Sequence, residues 1–250
     1  IYHPLLTTEK SFFNVLKKQD VLLQYPYHTF SHCIDFMREA AIDPNVVSIK
    51  ITLYRAAKNS KVINALINAA RNGKKVTVVI ELQARFDEEA NIKWGRLLQE
   101  EGINVLFGVP GLKVHSKVCL IERKENRKSV FYVNVSTGNY NEQTSHTYSD
   151  QALFTCNLQI TKDAQKVFDF ITNPLKNPDT EQLILSPFQT RNHFIKLIDQ
   201  EIKNKKKGKP AAIMLKMNSL VDKALIEKLY EASKAGVPIR MIIRGICQLK

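Results

Sequence analysis

The spacing of apolar residues along this chain switches repeatedly between the period of a helix and that of a strand. Over Thr29–Ala41 (TFSHCIDFMREAA) they return every three or four positions, which predicts an amphipathic helix that Thr29 or Ser31 can cap. Val46–Tyr54 (VVSIKITLY) is rich in β-branched residues and predicts a strand. Ser60–Asn72 is helical in pattern and stops at Gly73, a common residue just past a helix end. Val76–Leu82 (VTVVIEL) is almost continuously apolar, as expected of a strand buried on both faces. Asp87–Glu101 predicts a helix with Asp87, Glu88 and Glu89 in its first turn, at the positive end of the helix dipole. Ile103–Phe107 predicts a short strand. A hairpin follows, Lys113–Ile121 and Ser129–Val135, joined by a polar loop around Glu125, Asn126 and Arg127. Gln151–Cys156 then reads as a strand and Thr161–Ile171 as a helix. This order predicts an α/β fold with a mixed, largely parallel sheet flanked by helices.

Thr172–Thr180 (TNPLKNPDT) holds two prolines and reads as a linker, so the expected domains are residues 1–181 and 182–250. The second repeats the first. Ile63–Glu81 aligns without gaps on Ile226–Arg244, with Gly73 on Gly236, Leu66 on Leu229 and Ala69 on Ala232. At the same offset Thr52–Arg55 falls on Leu215–Asn218. Two strands and a helix in register suggest an internal duplication, the second copy being the start of a similar domain. Carried to His115, the offset points beyond Lys250. The sequence starts at Ile1 rather than methionine, and both ends read as cut.

Composition narrows the partners. The 250 residues hold 37 basic and 24 acidic side chains, a formal charge of +13, which suits a polyanion such as nucleotide, polyphosphate, nucleic acid or an anionic membrane surface. Part of that excess, Asn204–Lys209 (NKKKGK), reads as a solvated loop after a helix. The four cysteines are far apart and form no C-x-x-C pair, which favours small buried hydrophobes in a reducing compartment over metal ligands. His3, His28, His32, His146 and His193 show no metal-ligand spacing either. No apolar run has the length of a membrane helix and no signal peptide is present, so the cytoplasm is the expected location.

Candidate chemistry centres on Gly111–Lys124 (GLKVHSKVCLIERK). Read as a strand, it puts Lys113, His115 and Lys117 on one side and Leu112, Val114, Val118 and Leu120 on the other. Such crowded cations fit either a solvated face or an anion site. Arg55 and Arg85 follow two predicted strands, where ligands of α/β sheets gather, and Thr137, Gly138 and Asn139 offer amides to an anion. Together these residues describe a phosphate site.

The stretch HSK on a strand, followed after a hairpin by TGN, resembles the H-x-K and downstream Asn of the phospholipase D superfamily, with Glu122 at the motif's acidic position. That family's fold joins two halves, each giving one histidine to a single site. More specifically, SIKITLYR, GKKVTVVIELQARFDEEANI, GLKVHSK, TGNYNE and YSD resemble the polyphosphate kinase family over about Asp20–Lys250. The resemblance implies a longer parent chain, a homo-oligomer, whose cytoplasmic location allows peripheral membrane association. It implies ATP, ADP and inorganic polyphosphate as substrates, Mg2+ as cofactor, and no specific nucleic acid. His115 corresponds to a phosphohistidine, Lys117 and Asn139 to catalytic positions, Tyr148 and Arg244 to ATP contacts, and Arg55 and Arg85 to magnesium positions. A guanidinium has no lone pair for a cation, so those arginines are expected to hold phosphate oxygens instead. The second histidine has no counterpart here, and the isolated fragment is expected to be inactive without the rest of its chain. A phospholipase D-type phosphodiesterase and a non-catalytic polyanion-binding fragment are the alternatives.

Overall fold

The computed structural model describes all residues except Thr8, Glu9, Lys58, Arg85, Phe86, Asp87 and Lys176. It divides into two compact units, Ile1–Leu183 and Ile184–Lys250. In chain order the first unit contains α1 (Phe12–Leu16), β1 (Val21–Tyr25), α2 (Ser31–Ile42), β2 (Val46–Leu53), α3 (Lys61–Arg71), β3 (Lys75–Ile80), α4 (Glu88–Glu100), β4 (Asn104–Phe107), β5 (Val118–Glu125), β6 (Lys128–Ser136), β7 (Asp150–Thr155) and α5 (Leu158–Thr172). The second contains α6 (Thr190–Lys206), β8 (Ile213–Met217), α7 (Lys223–Lys234) and β9 (Ile239–Ile243).

The strands of the first unit form one sheet in the order β1-β7-β6-β5-β2-β3-β4. It is mixed, as expected, but largely antiparallel rather than largely parallel. Only β2 with β3 and β3 with β4 run parallel, because a helix carries the chain back between each pair. After β4 the chain returns through the β5–β6 hairpin to β7, and all of these pair antiparallel, as does β2 with β5. The balance tips because β5 joins β2, and β7 joins β6, antiparallel, and β1, unread in the sequence, adds a further antiparallel pair at the far edge against β7. Its five residues VLLQY alternate in burial: Val21, Leu23 and Tyr25 face in, Leu22 and Gln24 out.

Local chemistry accounts for the helices that position the site. The Ser60 side chain accepts from the Ile63 amide to cap α3, and Asn157 accepts from Gln159 and Ile160 to cap α5. Starting at Leu158, α5 is longer than its predicted span. The apolar stripe of α3, with Val62, Ile63, Leu66 and Ala69, is buried in the same core as Ile49 and Ile51 of β2 and Val76 and Val78 of β3. Burial of each of these Val, Leu and Ile side chains stabilises by about 1.5–3 kcal/mol relative to its exposure. Phe12, Phe36 and Phe154 meet in this core with ring centroids 5.1–5.3 Å apart. Cys33 and Cys119 are buried, as expected of small hydrophobes; Cys156 is partly buried and Cys247 exposed.

In the second unit β8 and β9 pair in parallel over a core of Ile198, Ile202, Ile213, Leu220, Ile226 and Leu229. The run expected as a loop after a helix begins inside α6, which extends through Lys206, because lysines in the last turn suit the negative end of the helix dipole. The helix-glycine-strand repeat is visible as α3–β3 and α7–β9, but the preceding strand is one position out from the gapless match. Ile49 pairs with Val76, whereas the residue paired with Ile239, the repeat of Val76, is Ile213. The Glu81 amide donates to Leu53 O (3.2 Å) and the Arg244 amide to Met217 O (3.3 Å). Asn218, next after Met217, is therefore the counterpart of Tyr54 rather than of Arg55.

Candidate active site

The segment that carries His115 is not strand. β5 starts only at Val118, and His115 and Lys117 lie in the irregular lead-in, where side chains rather than a ladder hold the main chain. Thr52 Oγ1, at the end of β2, donates to Ser116 O (2.8 Å) and accepts from Val118 N (3.1 Å). Glu81, just past β3, accepts from Val114 N (2.7 Å). Strict alternation fails accordingly. Lys113 and His115 are exposed, but Lys117 is only 5% exposed.

Tyr54 is the platform on which the cations meet. Its ring lies 4.7 Å from that of His115, edge to face, with Lys117 Nζ 5.3 Å and Arg55 Cζ 5.5 Å from its centroid. Lys117 Nζ also donates to the carbonyl oxygen of His115 (2.5 Å). Burial, then Lys117, Lys113 and Arg55, hold the imidazole pKa of His115 below its ordinary value, which favours the neutral ring. Burial pulls Lys117 down to about 8, with Asp150 opposing and Arg55 adding to the shift.

Asp150 ties the second hairpin loop to this cluster. Thr137 Oγ1 donates to Asp150 Oδ1 (2.7 Å), and Gly138 sits so close that a Cβ there would lie 2.5 Å from Asp150 Oδ2. The amides of Thr137 and Gly138, expected to face an anion, are already committed, to Gln151 O (2.9 Å) and Ser136 Oγ (3.1 Å). Asn139 differs: its Oδ1 is buried with no hydrogen-bond partner.

Tyr148 follows a short 3₁₀ turn and is 50% exposed, not a core aromatic. Arg244 belongs to the second unit, where its Nε donates to Asn218 Oδ1 (2.5 Å). Arg85 lies outside the described residues. Glu122 accepts from Ser129 Oγ (2.6 Å) and Ser48 Oγ (3.2 Å) on the strands, so it tethers β5, β6 and β2. Thr52, Tyr54, Glu81 and Asp150 were not singled out from the sequence. A polar residue within or ending an apolar strand, as Thr52 and Glu81 are, was the available signal.

The described residues offer no cage of three or more protein ligands for a magnesium ion. Among them no three His, Cys, Asp or Glu side chains converge as a metal site, and the Arg55 guanidinium has no lone pair to donate.

Residues 11–177 match the family model "Polyphosphate kinase C-terminal domain 1" and residues 183–250 match "Polyphosphate kinase C-terminal domain 2". The polyphosphate kinase of Vibrio cholerae serotype O1 is 53% identical over 237 residues, and that of Escherichia coli K12 49%; each alignment covers 95% of this chain and 34% of the relative. The crystal structure of polyphosphate kinase from Porphyromonas gingivalis superposes with a TM-score of 0.83 at 40% identity, over 94% of this chain and 39% of that one. The chain belongs to the polyphosphate kinase family, and it spans about a third of the length of the curated relatives it matches.

Proposed function

We propose that the protein containing these residues transfers the terminal phosphoryl group of ATP reversibly to inorganic polyphosphate, with His115 as the covalent carrier. The neutral imidazole attacks the γ-phosphorus, an N–P bond forms as the P–O bond to ADP breaks, and ADP leaves. A terminal phosphate oxygen of a polyphosphate chain then attacks the phosphorus, and the N–P bond breaks to restore the imidazole. A phosphoramidate and a phosphoanhydride are close in energy, so both directions are accessible.

The observation that carries this reading is the exposed imidazole of His115, kept neutral and ringed by Lys117 and Arg55 on the Tyr54 platform. The transferred group spreads its charge over three oxygens, so fixed cations lower the barrier most. Lys117 and Arg55 take that role, with Arg85 and Arg244 as further phosphate contacts, Tyr148 at the nucleotide and the Asn139 amide toward the phosphoryl group. Magnesium enters with the nucleotide phosphates rather than on protein ligands, and no step is assigned to it. Residues 1–181 act as the first phospholipase D-like catalytic domain and 182–250 as part of the second, in a homo-oligomer that can associate peripherally with membranes. This segment alone is inactive.

The test uses the full-length protein, wild type and His115→Ala, with γ-labelled ATP. Acid-labile, base-stable label on His115 that vanishes in the variant supports the reading. Well-folded wild type that binds ATP and takes no label overturns it and favours phosphodiester cleavage.

A further inference from the structure

Two buried polar side chains next to the site have no packing reason to be polar. We infer that Glu81 and Thr52 form a two-point clamp that positions the main chain of His115 for reaction, an inference that rests on His115 being the nucleophile. Glu81 is 5% exposed and Thr52 fully buried. A buried carboxylate is costly unless its oxygens are satisfied. Glu81 satisfies them on backbone, accepting from Gln83 N (2.8 Å) at one oxygen and from Val114 N (2.7 Å) at the other. Asn91 of α4 fixes the base of the clamp, donating through one amide to Glu81 O (2.9 Å) and Tyr54 O (3.0 Å). Thr52 then takes Ser116 O and Val118 N. The main chain is thus held on both sides of His115 from the ends of two adjacent strands, at residues the β2–β5 ladder does not reach.

The second unit separates this role from the needs of the fold. Its residue at the place of Glu81, with the same strand-end hydrogen bond, is Arg244, whose side chain reaches Asn218 instead. At the place of Thr52 it has Lys216, paired with Ile242 as Thr52 is with Val79. Neither a carboxylate nor a hydroxyl is required by this strand-helix-strand unit. Both occur where a histidine-bearing segment crosses the strand ends.

The experiment compares full-length wild type, Glu81→Gln, Thr52→Val and His115→Ala. Glu81→Gln keeps the volume and removes one of two acceptors; Thr52→Val keeps the shape and removes both hydrogen bonds. Displacement of a reacting group by about 1 Å costs on the order of 100-fold in rate. Each clamp variant should therefore slow single-turnover labelling of His115 by about 10–100-fold, while the Kd for ATP changes by less than about 2-fold and the His115 ring resonance shifts in the NMR spectrum. Wild-type labelling rates per folded molecule, or a loss matched by the loss of folded protein in circular dichroism, would overturn the clamp. If Glu81→Gln does not fold, Thr52→Val decides by the same rates. Label that survives in His115→Ala instead sinks the nucleophile assignment, and the His115 resonance in the clamp variants then decides whether its position is held.

Discussion

The ammonium of Lys117 donates to the carbonyl oxygen of His115 at 2.5 Å, so the cation is anchored to the main chain of the histidine beside it. An ammonium has three donors, and this bond leaves two for an incoming phosphoryl oxygen. Position and charge are therefore coupled, which gives the site a characteristic pH response.

The proposed mechanism needs His115 unprotonated, and its pKa is lowered by burial and by Lys117, Lys113 and Arg55, so that form persists below the ordinary histidine range around pH 6.5. The same mechanism needs Lys117 protonated, and burial pulls its pKa down to about 8. The kcat/KM of the full-length enzyme should be bell-shaped, with its acid limb below about pH 6.5 and its alkaline limb near pH 8. Lys117→Met should move the acid limb upward and abolish the alkaline one. An alkaline limb retained in that variant would assign it to another group.

Tyr54 should matter through its ring. A cation over an aromatic face gains about 0.5–2 kcal/mol, and Lys117 and Arg55 both use this one. Tyr54→Phe keeps the face and should label His115 at a rate within about 2-fold of wild type. Tyr54→Leu should lose about 10-fold or more. Equal rates in the two variants would show that the platform contributes only packing.

The parts legible in the sequence were those written in periodicity. The apolar runs of β2 and β3, the stripe of α3 and Gly73 past its end specify the parallel portion of the sheet. His115 and Lys117 stand out as cations crowded on one face of an expected strand, and Arg55 as a charge that follows an apolar run. What escaped depends on partners distant in the chain. β1 is five residues long and becomes recognisable only through its pairing with β7. The alternation that assigned Lys117 to an exposed face failed because Thr52, more than sixty residues away, ends the ladder and turns the segment. Asp150 owes its place to the hydrogen bond from Thr137, which leaves no mark in local composition, whereas Glu81 shows only as a carboxylate ending an apolar run.

Asp163 tests how the end of the first unit is fastened. Its buried Oδ2 accepts from Glu181 N (2.9 Å), Gln182 N (2.6 Å) and Leu183 N (3.0 Å), with Lys166 3.7 Å from the other oxygen. Burial alone raises the carboxyl's pKa, but the three amides and Lys166 outweigh it and leave a net lowering. A lowered folded-state pKa means that the stabilisation is complete above the unfolded value of about 3.9 and is lost as pH falls through the folded one. Asp163→Ala should cost about 3 kcal/mol in urea unfolding at pH 7. The gap from wild type should narrow below about pH 4. A gap independent of pH would trace the loss to packing instead.

Gly138 sets the distance between the second hairpin loop and the cationic cluster. A Cβ there would lie 2.5 Å from Asp150 Oδ2 and 2.6 Å from its Cγ, separations real atoms do not adopt, so Gly138→Ala must displace the carboxylate. Asp150 is the group that raises the pKa of Lys117 against burial. Without it in place, Lys117 should deprotonate below its present value of about 8 and the alkaline limb should move to lower pH. If the downshift is about one unit, the protonated fraction of Lys117, and activity with it, should fall about 5-fold at pH 8 and much less at pH 6.5. Full pH profiles of wild type and Gly138→Ala decide this. A uniform loss across the range would mean that the loop is distorted without any change at Lys117, and an unchanged profile would mean that Asp150 is not the charge that balances it.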